Sequence, residues 1–347
     1  DTLQEAVGRC LAIRQNCDVF RELRVEFGKY LVIFILMTLT IGMVSGFLVA
    51  DGSMIQAYEE SFEKYNIENG HFRTEKKMNN AQIQDIEDLG IKLYENYYVE
   101  EALTNGSTMR IFRNRDEVNK VCLMKGKMPE KPGEIGIDRM YADNNDLSVG
   151  DEIESGGHTW KITGLVALSD YSALFSNNND SMFDSVKFGV SVVCPEEFDS
   201  YKADQLNYSY AWKYNTEPKN EKAEKDISED LMEDVAKEVT LEEFVPRYTN
   251  QAIIFTGDDM GGDRSMMIVL LYIIIVIMAF VFAITTRNTI RKEANVIGTL
   301  RASGYTRGEL IRHYMAAPVF VTFIGAIIGN IIGYTVGKDY LQIILHF

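Results

Sequence analysis

Residues 265–286 read SMMIVLLYIIIVIMAFVFAITT, residues 287–313 read RNTIRKEANVIGTLRASGYTRGELIRH, and residues 314–336 read YMAAPVFVTFIGAIIGNIIGYTV. The outer two pieces carry no Asp, Glu, Lys or Arg, whereas the middle piece carries six Lys/Arg and two Glu. At about 1.5 Å per residue, either apolar piece crosses the ~30 Å hydrocarbon core of a bilayer as a helix. The stretch therefore predicts a membrane hairpin whose two spans are joined by a basic loop. Working outward, Leu31 to Ala50 is a third uncharged run, and the remainder of the chain is strongly polar.

Charge orients these spans. The formal net charge is -16, but residues 1–30 balance five Lys/Arg against five Asp/Glu, and residues 51–264 hold 43 acidic against 23 basic residues. Lys and Arg near span ends mark the cytoplasmic side, so the N-terminus and the 287–313 loop are expected inside and the acidic block outside. Leu31 to Ala50 is longer than a usual signal-peptide core, and the 30 residues before it are too many for an n-region. With three spans, the C-terminus falls outside after only Gly337 to Phe347. The chain also begins at Asp1, so residues are expected to be missing at both ends.

The resulting plan is a membrane protein of transmembrane α-helices with a large α+β extracytoplasmic domain between the first and second spans. Its parts are a cytoplasmic N-terminal segment (1–30), span 1 (31–50), the extracytoplasmic domain (51–264), span 2 (265–286), a cytoplasmic loop (287–313), span 3 (314–336) and an extracytoplasmic tail (337–347). Val19, Phe20, Leu23 and Phe27 share one helical face, which predicts an amphipathic lead into span 1. In the acidic block, a helix is expected to continue from the first span over Met54–Tyr65, with another over Ala81–Leu89 between Asn79/Asn80 and Gly90. An extended run follows over Ile91–Val99. Asp151–Ser155 and His158–Val166 form a hairpin around Gly156-Gly157. Strands are expected over Ser185–Val193, Asn207–Tyr214 and Ala252–Phe255, and a helix over Glu221–Val239 with Ile227, Leu231 and Val235 on one face.

Gly42 and Gly46 in span 1, and Gly325, Gly329, Gly333 and Gly337 in span 3, recur every four residues. That spacing lets helix backbones approach closely, so these six are candidate packing positions.

Several chemistries are not supported. No G-x-x-x-x-G-K-[ST] cradle for nucleotide phosphates occurs, so any ATP is hydrolysed by another chain. His71, His158, His313 and His346 are scattered, with no zinc spacing, and no catalytic residues, metal ligands or cofactor-binding residues are assigned. Asp258, Asp259 and Asp263 beside Gly261-Gly262 lack the spacing of a calcium loop and read as a solvated loop. Cys122 and Cys194 share a compartment, but nothing demands that they pair. The spans hold no ionisable residue of the kind that carries ion or proton relays, and neither a nucleic-acid partner nor an enzyme activity is expected.

The loop reads as a helix, a break at Gly304, and a second helix opened by a Thr306/Glu309 capping box. Two readings stay open at this point: a rigid elbow pushed by a partner, or a tight basic connection that obeys the charge rule alone.

Lys292-Glu293-Ala294-x-x-Ile297-Gly298-x-Leu300-Arg301-Ala302-x-Gly304-Tyr305 resembles the cytoplasmic segment of FtsX-like ABC transporter permeases, the group that includes MacB-type exporters and lipoprotein-releasing complexes. Gly126–Ile137, Leu147–Ile153 and Trp160–Val166 are similar to the extracytoplasmic core of the same family. The resemblance implies a four-span permease unit, the fourth span lying beyond these residues. It implies a homodimer or pairing with a second permease unit, and a separate cytoplasmic ABC ATPase that binds the ATP, so that this chain needs no cofactor. Glu293, Ile297, Gly298, Leu300, Arg301, Gly304 and Tyr305 would contact that ATPase. Lipid surrounds the spans, and an unidentified extracytoplasmic substrate or protein is the outer partner. Export, extraction or resistance directed at lipoproteins, peptides or antimicrobials would follow. The alternative is a membrane-bound regulator or sensor that activates an outer partner, such as a cell-wall hydrolase, without transport.

Overall fold

The computed structural model describes Arg24, residues 26–337 and Asp339. The amphipathic face at Val19, Phe20 and Leu23, the cysteines Cys10 and Cys17, and His346 lie outside those residues. In chain order the elements are α1 (Phe27–Lys64), β1 (Gly70–Thr74), α2 (Asn80–Glu87), β2 (Ile91–Glu95), β3 (Tyr98–Ala102), β4 (Thr108–Arg113) and β5 (Val121–Gly126). Next come β6 (Glu134–Asp138), α3 (Arg139–Asn144), β7 (Glu152–Ser155), β8 (His158–Leu168), β9 (Phe188–Val193), α4 (Pro195–Phe198) and β10 (Tyr208–Tyr214). The remainder are α5 (Glu221–Glu238), β11 (Leu241–Pro246), α6 (Gln251–Lys292), α7 (Ala294–Ala302) and α8 (Arg307–Ile332). Two compact units result, Ala57–Asp259 and the flanking residues.

The unit Ala57–Asp259 contains two sheets. In the first, the order is β11-β1-β10-β2, antiparallel throughout. Taking its own strands in sequence, this is the 4-1-3-2 order of a β-α-β-β-α-β ferredoxin-like unit, with α2 and α5 as the two helices. The second sheet, β3-β4-β9-β6-β8-β5 with β7 added to β8, is wholly inserted between β2 and β10. It is mixed, β4/β9 and β6/β8 being its parallel pairs. A continuous core runs through this unit, with Phe72 and Trp212 from the first sheet and Ile111, Ile135 and Trp160 from the second fully buried.

Local chemistry explains the elements. Asn79 accepts from the backbone N–H of Ala81 and Gln82 at 2.9 and 3.0 Å, and Gln82 returns a bond to the Asn79 N–H, closing a capping box. Gly156 and Gly157 have φ of +56° and +84°, which suits the two central positions of the tight β7–β8 turn.

Four expectations are corrected. Ala252–Phe255 is not a strand but the start of α6. Asn250 caps it through its side-chain oxygen to the Ala252 N–H at 3.1 Å, a signal that a short apolar run does not carry. The Asp258, Asp259 and Asp263 segment is likewise helical, not a loop. Ile91–Val99 is two strands in different sheets, broken at Asn96-Tyr97. In α5, Leu231 and Val235 are buried, but Ile227 is 43 % exposed and Ser228 takes the inner position. Cys122 and Cys194 are free thiols.

A buried polar clasp joins the two sheets. Arg115, between β4 and β5, donates to both Asp170 carboxylate oxygens at 2.7 Å and to Asn96 Oδ1 at 2.9 Å. Asn119 donates to Glu68 Oε2 at 2.6 Å while accepting from the Glu68 N–H at 2.8 Å. His71 Nδ1 lies 2.6 Å from the other Glu68 oxygen. Burial works against a charged Glu68, yet His71, Asn119 and Arg115 together outweigh it and hold its pKa below the usual carboxylate range. Burial likewise opposes a charged His71, but Glu68 wins and raises its pKa.

Asp138 caps α3 by accepting from the N–H groups of Met140 and Tyr141 at 2.8 and 3.2 Å. Burial nevertheless pushes its pKa up to about 6. The folded state therefore holds this proton more tightly than the unfolded chain, and stability is lost as pH rises through the folded value. Asp138→Asn keeps an acceptor without the charge. It is expected to be more stable than the parent by about 1–2 kcal/mol at pH 7.5, with no advantage at pH 4. Thermal unfolding at the two pH values decides this; an equal gain at both would mean that ionisation is not the cause.

Candidate functional site

Among the described residues, three helices are long and apolar enough to cross a membrane: α1, α6, and α8 with its terminal turn. The helix α8 continues through Pro318 and ends in a π turn, Gly333–Gly337, whose wider winding takes the last glycine off the face that an α-helical four-residue spacing would give it. Tyr30 and Ile33 of α1 pack on Ala317 and Val321 of α8, with Phe282 of α6 beside them.

Glycines bring α1 and α8 together. A Cβ on Gly42 would lie 3.3 Å from the Gly329 carbonyl oxygen. On Gly329 it would lie 2.8 Å from the Thr38 carbonyl oxygen, and on Gly333 it would lie 2.9 Å from the Gly46 nitrogen. One turn away from Gly329, Thr38 Oγ1 donates to the Gly325 carbonyl at 3.4 Å, and Gly325 sits against Met37. Gly337 belongs to the terminal π turn.

Between α6 and α8 lies the elbow. The first half of the loop is expected to be helical up to Gly304, but the helix is interrupted at Glu293, which separates α6 from α7. The Tyr314 hydroxyl donates to Glu293 Oε2 at 2.6 Å and so ties that bend to α8. At the other end of α7, Gly304 takes φ +99°, a backbone shape that side chains disfavour. Thr306 then caps α8: its hydroxyl accepts from the Glu309 N–H at 3.3 Å, and Glu309 accepts from the Thr306 N–H at 2.8 Å. Hydrogen bonding to Thr306 holds the Glu309 carboxyl below its usual range.

No residue of α7 is buried. Gly298, Arg301, Gly304 and Tyr305 are exposed, and Glu293, Ile297 and Leu300 are half-buried. Val296 is 52 % and Tyr305 44 % exposed, so the elbow exposes apolar as well as basic surface.

Residues 268–347 match the family model of the FtsX-like permease C-terminal domain. This domain takes in most of α6, all of α7 and all of α8, that is, the elbow and one side of the glycine seam. No curated protein matches the chain. Among solved structures it is similar to the periplasmic region of MacB from Actinobacillus actinomycetemcomitans, at 12% identity and TM-score 0.28 over 49% of this chain and 85% of that one. It is also similar to the extracellular domain of the noncanonic ABC-type transporter YknZ from Gram-positive bacteria, at 11% identity and TM-score 0.28 over 50% and 98%.

Sequence reasoning missed three groups. The Glu293–Tyr314 bond joins residues 21 apart across a turn, and no pattern announces it. Lys29 reaches Thr289 at 2.8 Å across 260 residues. The Arg115–Asp170 clasp unites single charged residues from separate loops.

Proposed function

We propose that this chain is the permease subunit of an ABC transporter complex of the FtsX and MacB mechanotransmission type. The FtsX-like C-terminal domain carries the reading, and the exposed elbow supports it. In this scheme a separate cytoplasmic ATPase seats on Ile297, Gly298, Leu300, Arg301 and Tyr305. Glu293 and Gly304 bound the short helix it pushes. Because α7 is followed at once by a capped α8, displacement of α7 is passed into the spans instead of being absorbed by a slack loop. Gly42, Gly46, Gly325, Gly329, Gly333 and Gly337 hold the spans in register. The N-terminus and elbow face the cytoplasm, and the acidic two-sheet unit lies outside, where it engages a lipoprotein, peptide or antimicrobial substrate. The chain works as a homodimer or beside a second permease unit, and hydrolyses no ATP itself.

Arg301→Glu tests the elbow. It is exposed and should leave folding and membrane insertion intact, while reversing a charge at the ATPase contact costs several kcal/mol of complementarity. Co-purification of the ATPase, or stimulation of its turnover by the permease, is expected to fall at least ~10-fold. Unchanged association and unchanged turnover would remove Arg301 from the interface.

A further inference from the structure

The end of α1 nearest Arg24 and the end of α6 at Lys292 enclose a cleft of about 730 Å³ that the permease reading does not use. Its charged lining is Lys29, Arg291 and Lys292 against a single carboxylate, Glu26. Lys29 is not a free surface lysine. Its side chain is 27% exposed, and its ammonium is fixed by Glu26 at 2.6 Å and Thr289 Oγ1 at 2.8 Å. Two of its three N–H donors are thereby taken, and the ammonium also lies 4.9 Å from the centroid of the Tyr30 ring. Lys292 lies at 4.0 Å from the same Glu26 carboxylate, and Asn288 adds an amide. Gly28 is also on the lining, and a Cβ there would meet nothing within 4 Å. About one turn deeper, Val32 on α1 and Ile284 on α6 are 65% and 60% exposed, offering apolar surface to hydrocarbon.

We infer that this cleft binds the phosphate of an anionic glycerophospholipid headgroup, with the acyl chains lying along Val32 and Ile284. Two features separate this from a mere excess of positive charge at span ends. The donors converge on a cavity between two helices, and the most buried of them is held in place by partners on both. A basic pocket between transmembrane helices at the water boundary is suited to an anionic headgroup.

The full chain in mild detergent is offered equimolar phosphatidylglycerol and phosphatidylcholine, and retained lipid is measured by native mass spectrometry. At about fivefold per net cation, phosphatidylglycerol should be retained about 25-fold over phosphatidylcholine. In Lys29→Gln/Arg291→Gln the preference should fall to within about twofold of unity, whereas Arg307→Gln/Arg312→Gln, the same charge change elsewhere on the basic segment, should keep it. Gly28→Phe puts a bulky ring on the lining of the cleft without altering charge and should also lose phosphatidylglycerol. It carries the test if the double variant does not fold. Excess inorganic phosphate should not displace the lipid. Equal retention of both lipids by the parent, retention unaffected in Gly28→Phe, or full displacement by inorganic phosphate would each overturn the assignment, the last in favour of a soluble anion.

Discussion

Gly329→Leu is expected to separate α8 from α1. A Cβ at Gly329 would stand 2.8 Å from the Thr38 carbonyl oxygen and 3.0 Å from the Ile41 Cβ. Both are fixed parts of a helix rather than ends of flexible side chains, so the helices themselves must move apart. Inside a membrane the helices gain nothing from excluding water, and close van der Waals contact is most of what holds them. Overpacking costs about 1–3 kcal/mol even where side chains can shift, and here the obstacle is backbone. The Thr38–Gly325 bond and the Tyr30, Ile33, Ala317 and Val321 contacts would loosen with it. The expected readout is a thermal midpoint in detergent lowered by several degrees. Gly308→Leu serves as the control, since a Cβ there meets nothing within 4 Å. Equal midpoints for the two variants would mean that the glycine seam does not govern packing.

A second large effect is expected at the buried clasp. Asp170→Ala leaves the Arg115 guanidinium, whose side chain is 7% exposed, without its bidentate partner. Removing one member of a buried ion pair costs about 3–5 kcal/mol, because the remaining charge is neither hydrated nor compensated. Asn96 still accepts one bond, and the Arg115 ring contact with Phe112 persists, but neither neutralises the charge. Arg115→Met/Asp170→Leu removes both charges and should recover most of that loss. A double variant as unstable as the single one, measured by chemical unfolding, would show that shape and not charge is what the clasp supplies.

Much of the membrane unit could be read from the sequence because bilayer insertion leaves long, uninterrupted signals. Uncharged runs of 20 or more residues admit few alternatives, and the Thr306/Glu309 box and Gly304 mark local backbone geometry that depends on neighbours only. The Glu293 bend was not legible, since both residues that define it look helical and the deciding partner, Tyr314, sits on the next helix. In the two-sheet unit, the β7–β8 hairpin declared itself through Gly156-Gly157. By contrast β1, β5, β6 and β11 are joined to their partners by no such turn, and their pairing depends on strands further away in the chain. The Ala252–Phe255 error has the same origin: four apolar residues fit either period, and Asn250 settles the matter only once it is seen to cap. The Arg115, Asp170, Glu68 and Asn119 clasp is the extreme case, because each residue alone reads as an ordinary polar loop residue.

The insertion of the second sheet between β2 and β10 also has a kinetic meaning. In the first sheet β1 and β2 never touch; each pairs with β10. During synthesis both strands are made early and stay without a neighbour until residues 208–214 arrive, after the entire second sheet. Closing so long a loop costs entropy that is returned only if the intervening chain is already compact. The β3–β9 segment is contiguous and rich in its own pairings, so it forms first and draws the ends of the ferredoxin-like lobe together. Order of folding is thus expected to follow order of sequence, with β10 the latch that joins β1 to β2 before β11 closes the edge.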